Sequence, residues 1–197
     1  MKRDHYLPLA QQPLRGSKIG VADAAGPERV REDSPALEVM TDLRRVPAAT
    51  VAGNTSLTDA NHAMKLRGVR LLLVVDGQRE VVGVITTADL LGERPVRVAQ
   101  SRGGKVQDLE VGNVMTPLAD MEAVFLSDVA KAEVGHVVAT LRRSGRQHAL
   151  VIERGADGRD VIRGIFSAAQ IARQIGLPME GTEIPRTFAE IEAAIAA

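Results

Sequence analysis

The chain contains no cysteine and no tryptophan, and only one tyrosine and three phenylalanines among its 197 residues. Without thiols there is no disulfide framework, no thiolate nucleophile and no cysteine-based zinc site. With so few rings, a cleft that stacks exposed bases on several aromatic side chains is excluded. Neither sign of charge is in excess: Lys+Arg and Asp+Glu both count 25, a formal net charge of zero. The broad electrostatic footprint of a nucleic-acid binder is therefore missing, and any basic patch must be local. No apolar run approaches the roughly 20 residues of a membrane-spanning helix. The opening MKRDHYLPLAQQPLRGSKIG carries early positive charge but no apolar core of a secretory signal. These absences imply a soluble, cytoplasmic protein with neither nucleic acid nor membrane as partner. The chain is long enough to bury a sizeable core, in one domain or two small ones.

What is present is repetition. Residues 1–34 mix Pro, Gly, Gln and charge without a period and read as an extended arm. VMT then occurs at 39–41 and again at 114–116. After each comes a helix-period segment, a glycine, a buried-strand run, a turn, a second strand and a strand-to-helix corner. In the first copy Ser56 opens SLTDANHAMKLRG, with Leu57, Ala60 and Met64 on one face and Gly68 as the stop. VRLLLVV suits a strand covered on both faces, DGQ supplies a hairpin turn, and EVVGVIT returns. In the second copy Asp128 caps VAKAEVGHVVATLRRSG, where Val134, Val137, Val138 and Leu141 share a face and Gly145 ends the helix. HALVI and VIRGIFS are its two strands. Each unit has too few elements to cover both faces of its sheet, so two copies packed sheet to sheet explain the duplication.

These readings place repeat 1 at 35–95, a linker at 96–108, repeat 2 at 109–178 and a tail helix at 179–197. In the tail, Thr187 and Glu190 fit a capping box, and Phe188, Ile191 and Ile195 form an apolar stripe.

The corners are GVITTADLLG at 83–92 and GIFSAAQIAR at 164–173. Thr86-x-x-Asp89 has two readings. As a helix start, Thr86 caps and Asp89 reaches back to its N–H, a task that suits the longer Glu or Gln better. By that measure Ser167-x-x-Gln170 is the better capping box. As a binding group, Asp89 presents two acceptor oxygens to the vicinal hydroxyls of a ribose, where the carboxamide of Gln170 has only one. The second reading makes Asp89 the competent corner and Gln170 the impaired one.

The repeated VMT, the block GVRLLLVVDGQREVVGVITTADLL and its weaker copy GRQHALVI…VIRGIFSAAQI resemble a tandem pair of cystathionine-β-synthase (CBS) domains, a Bateman module. The resemblance covers about 35–95 and 109–178. It implies an α/β fold of two β-α-β-β-α repeats, packed as a pseudo-two-fold pair with two clefts between their sheets. It also implies a regulatory sensor of adenosine-containing ligands (AMP, ADP, ATP or relatives), paired again as a homodimer. Under it Thr86 and Asp89 fall on the ribose-binding positions, and Arg70, Arg146, Gln147 and His148 on strands facing the phosphate. Ser167 matches the hydroxyl position of a second, weaker site, where Gln170 departs from the acid.

No catalytic residue, metal site or cofactor is expected. His5 lies in the arm, and His62 and His136 lie within helices without the spacing of a metal motif. SRGGKV lacks the phosphate-loop spacing, and there is no G-x-S-x-G elbow. The Arg44–Arg45 and Arg142–Arg143 pairs read as solvated faces. Two functions compete: a non-enzymatic ligand sensor that signals to an unknown partner, and a dimerisation or interaction scaffold that binds no ligand. A hydrolase using Asp89 as base ranks behind both, for want of a nucleophile–base pair.

Overall fold

The computed structural model describes residues 10–11, 30–155 and 157–176; the tail-helix positions 179–197 and most of the expected arm lie outside them. Two four-stranded sheets form the body. One has the order β2 (Thr50–Ala52), β3 (Leu71–Val75), β4 (Val81–Thr86), β5 (Thr116–Pro117). The other has the order β6 (Ala123–Phe125), β7 (His148–Arg154), β8 (Asp160–Ser167), β1 (Thr41–Asp42). Each sheet pairs one parallel strand and two antiparallel ones in the same sequence.

The repeats exchange their first strands. β1, which follows the first VMT, pairs with β8, while β5, which follows the second, pairs with β4. Strand pairing so distant in sequence leaves no local signal. The exchange explains why both corner motifs begin with glycine. A Cβ on Gly83 would lie 2.6 Å from the Thr116 carbonyl oxygen, and one on Gly164 3.1 Å from that of Thr41. The crossing strand needs that space. Two isolated bridges, Pro35 to Glu133 and Ser56 to Glu110, repeat the reciprocity.

Period-two burial builds three cores. Leu72, Val74 and Ile85 face the helical layer of repeat 1, and Val151 and Phe166 that of repeat 2. Leu71, Leu73, Val84 and Leu150 point the other way and meet between the sheets. The seam also carries a charge clasp: Arg163 Nη1 and Nη2 donate to the two carboxylate oxygens of Asp42, linking β8 to β1. Those bonds, aided by the backbone N–H of Arg44, hold the Asp42 carboxyl below its ordinary 3.8.

The helices follow their stops and starts, with two corrections. α1 (Leu57–Arg67) is capped by Ser56 and ends at Gly68 in the left-handed region. The expected helix after Asp128 is broken into α5 (Leu126–Val129) and α6 (Val134–Ser144). Its break is filled by the chain entering repeat 1: Ala36 N–H donates to the Ala132 carbonyl, and Ser34 and Glu32 carbonyls accept from Val134 and Gly135. The segment expected as a linker carries α3 (Arg94–Arg102), which follows α2 (Thr87–Leu91) after a two-residue break. Pro95 in its first turn marks that helix start. α4 (Val111–Val114) precedes β5, and α7 (Ala168–Ile175) ends repeat 2. Among the described residues no helix is long and apolar enough to cross a membrane, and no three His, Asp or Glu side chains gather as a metal site requires.

Candidate functional site

Strand exchange brings residues from both repeats to each corner. At the second corner it opens a cavity of about 740 Å3. Leu71 and Ile165 contribute seam side chains to its wall, and Leu43, Val46, Pro47 and Ala48 supply an aliphatic flank from the loop after β1. Thr41, Thr50, Ser167 and Gln170 present polar groups. Arg67 and Arg70, from the end of α1 and the approach to β3, meet Arg173 of α7 on the same cavity, and none of the described lining residues is acidic. All three arginines are exposed. The result is an electropositive pocket with one apolar side.

The sequence-predicted residues divide between the corners in an unexpected way. Arg70, His148, Ser167 and Gln170 line this cavity, whereas Thr86 and Asp89 do not. Arg146 turns outward and donates to the Asp120 carbonyl at 3.1 Å, and the Gln147 carbonyl accepts from Ala168 at 2.9 Å. His148 stands opposite Ser167 in the β7–β8 pairing. Burial pushes its imidazole down to about 4 from an ordinary 6.5; Arg70 pushes the same way, and Asp89 partly opposes. A ring that senses both Arg70 and Asp89 sits between the two corners. It is neutral at physiological pH.

The capping boxes are the reverse of what side-chain length suggested. At the first corner the box closes: Thr86 N and Oγ1 donate to Asp89 Oδ2 at 2.9 and 2.7 Å, and Asp89 N donates to Thr86 Oγ1 at 3.3 Å. At the second, Ser167 makes no side-chain cap bond. Gln170 accepts instead from Thr41 Oγ1 at 2.8 Å, drawn across the seam by the exchanged strand. Asp89 has a further partner, Arg94. Its Nη1 donates to Asp89 Oδ1 at 3.1 Å and to Thr116 Oγ1 at 3.0 Å, and its Nη2 to the Met115 carbonyl at 2.8 Å. Both carboxylate oxygens are thus engaged, and the side chain is 18% exposed.

Thr41, Arg67, Arg94 and Arg173 entered none of the sequence-level site assignments. VMT flagged position 41 as repeated, but not which sheet it joins. Arg94 stands at the end of repeat 1, just before the expected linker, in no recognised motif.

The same architecture recurs in solved proteins. A conserved protein from Pyrococcus horikoshii superimposes with a TM-score of 0.53 at 21% identity, covering 78% of this chain and 100% of that one. CBSX2 from Arabidopsis thaliana, solved in complex with AMP, gives 0.50 at 24% identity, covering 71% and 94%. A CBS-domain-containing protein from Agrobacterium tumefaciens gives 0.50 at 18% identity, covering 69% and 93%. Residues 36–95 match the CBS domain family by sequence. These residues form a CBS domain. The body as a whole has the fold of the CBS proteins named above. No curated protein matches the chain by sequence. Within this CBS pair, the broad cavity lies at the corner without an acid, and the acid lies at the corner already bonded.

Proposed function

We propose that this CBS pair is a non-enzymatic regulatory sensor, which binds an adenosine-containing phosphate ligand of the AMP, ADP or ATP class in the cavity shared by its repeats. The observation that carries the reading is the convergence of Arg67, Arg70 and Arg173 on one 740 Å3 cavity with no described carboxylate in its wall. That volume falls among small-molecule sites of roughly 300–1,000 Å3. In a chain of zero net charge, three cations on one pocket are a local concentration that suits a phosphate. The aliphatic flank of Leu43, Val46 and Pro47 offers a base an apolar surface without aromatic stacking. CBSX2, similar in fold, is solved with AMP, which supports the ligand class.

Because the wall comes from both repeats, a bound ligand favours one arrangement of the pair over others, which is how occupancy becomes a signal. A melting scan with AMP, ADP and ATP tests the reading. Ligand at about a hundred times its Kd adds roughly 2.7 kcal/mol of stability. If no adenosine compound moves the melting temperature, the scaffold reading takes its place. That alternative draws on Leu66 and Leu91, exposed at 78% and 67% on α1 and α2. Exposed leucines of this kind suit self-association as a homodimer.

A further inference from the structure

The two corners are equivalent in backbone and opposite in content. Thr116 stands opposite Val84 as Thr41 stands opposite Ile165. Thr87 N–H bonds to the Arg70 carbonyl as Ala168 N–H bonds to that of Gln147. Asp89 therefore occupies in the first corner the place of Gln170 in the second. Between Gln170 and Thr41 there is a direct bond at 2.8 Å. Between Asp89 and Thr116 lies a guanidinium.

We infer that Arg94 is a built-in occupant of the Asp89 corner, which closes that cleft to nucleosides and leaves the CBS pair one ligand site per chain. Three observations support this. One Nη1 of Arg94 reaches both repeats, contacting Asp89 of the first and Thr116 of the second, while Nη2 caps the Met115 carbonyl. Thr86 engages Oδ2 twice and Arg94 engages Oδ1, so a ribose diol must compete with a charged donor that already stands between Asp89 and Thr116. Finally, the chain is bent to deliver this side chain. α2 stops after five residues and Arg94 opens α3, whereas α7 runs unbroken through Ala168–Ile175. Eight residues past Ser167, as Arg94 is past Thr86, stands Ile175, buried in the core. The turn needs Gly92: a Cβ there would lie 2.6 Å from the Ala88 carbonyl oxygen.

The inference builds on the proposed nucleotide site but separates from it in experiment. Isothermal titration of the full chain with AMP reads stoichiometry directly. Wild type is expected to bind one AMP per chain, and Arg94→Ala two, with the added site lost again in Arg94→Ala/Asp89→Asn. Arg94→Met, which keeps the packing of the side-chain stem, guards against loss of the α3 contact. One AMP per chain in both Arg94 variants overturns the inference, as does two in wild type. None in wild type with one in the variants refutes the open site while upholding the role of Arg94; none in any of them refutes both.

Discussion

Thr41 Oγ1 donates to Gln170 Oε1 at 2.8 Å, joining side chains 129 positions apart across the seam of the two CBS repeats. The bond takes one of the two lone pairs on the single acceptor oxygen of the carboxamide and turns that oxygen toward β1. A ligand beside Gln170 is then read through Arg67, Arg70 and Arg173 rather than through its sugar. AMP and 2′-deoxyAMP are expected to bind within about threefold of each other, less than the loss of one ordinary hydrogen bond implies. Competition between the two in one titration checks this; a tenfold preference for the ribose would contradict it.

The reversed capping boxes make opposite stability predictions for similar substitutions. Thr86→Ala removes a formed cap and is expected to cost about 1 kcal/mol. Ser167→Ala removes none and is expected to leave stability within about 0.5 kcal/mol of wild type. Urea unfolding of both variants measures the difference. Equal losses would mean that Ser167 caps its helix in solution.

Acid stability should reflect two groups in succession. Below pH 6.5 the unfolded chain protonates His148, while the folded chain resists until about pH 4. The unfolded state then holds more protons, so stability is lost as pH falls through that window, by at most about 1.4 kcal/mol per pH unit. Asp42, held below 3.8 by Arg163, adds a loss only at lower pH. His148→Leu, which copies Leu71 at the equivalent position, is expected to flatten the upper window alone, and Asp42→Asn the lower alone. Melting temperatures across pH 3–7 separate them.

The seam clasp should outweigh an exposed pair. Asp42 and Arg163 are 18% and 14% exposed, Asp33 and Arg31 68% and 77%. Exposed pairs contribute little. Asp42→Asn is therefore expected to lower Tm clearly and Asp33→Asn hardly at all, by thermal melts at neutral pH.

Local chemistry carried much of this fold in the sequence. Ser56, Gly68 and Gly145 bound their helices as their types require, and the two corners lie where the repeated motif places them. What escaped was set by distant partners. Side-chain reach favoured Gln170 over Asp89 as a capping residue, but reach counts only the near end of a bond. Thr41 pulls Gln170 away, and Arg94 pins Asp89 in place. Thr41 lies 129 positions from Gln170; Arg94 is only five from Asp89, but it reaches back across the break between α2 and α3, which regular helical spacing does not anticipate. The same limit concealed Arg173, whose relation to Arg67 and Arg70 exists only once β1 has crossed to β8. The Asp128 helix failed for a related reason, since residues 32–36 bond into its break.

The most direct test is calorimetric titration of AMP into the wild-type chain and into Arg70→Ala/Arg173→Ala. Each exposed arginine–phosphate contact should contribute near the low end of about 1.5–3 kcal/mol. Saturable binding to wild type, weakened at least tenfold in the double variant, is the predicted result. Equal affinity in the two proteins, or no binding to wild type, would contradict it.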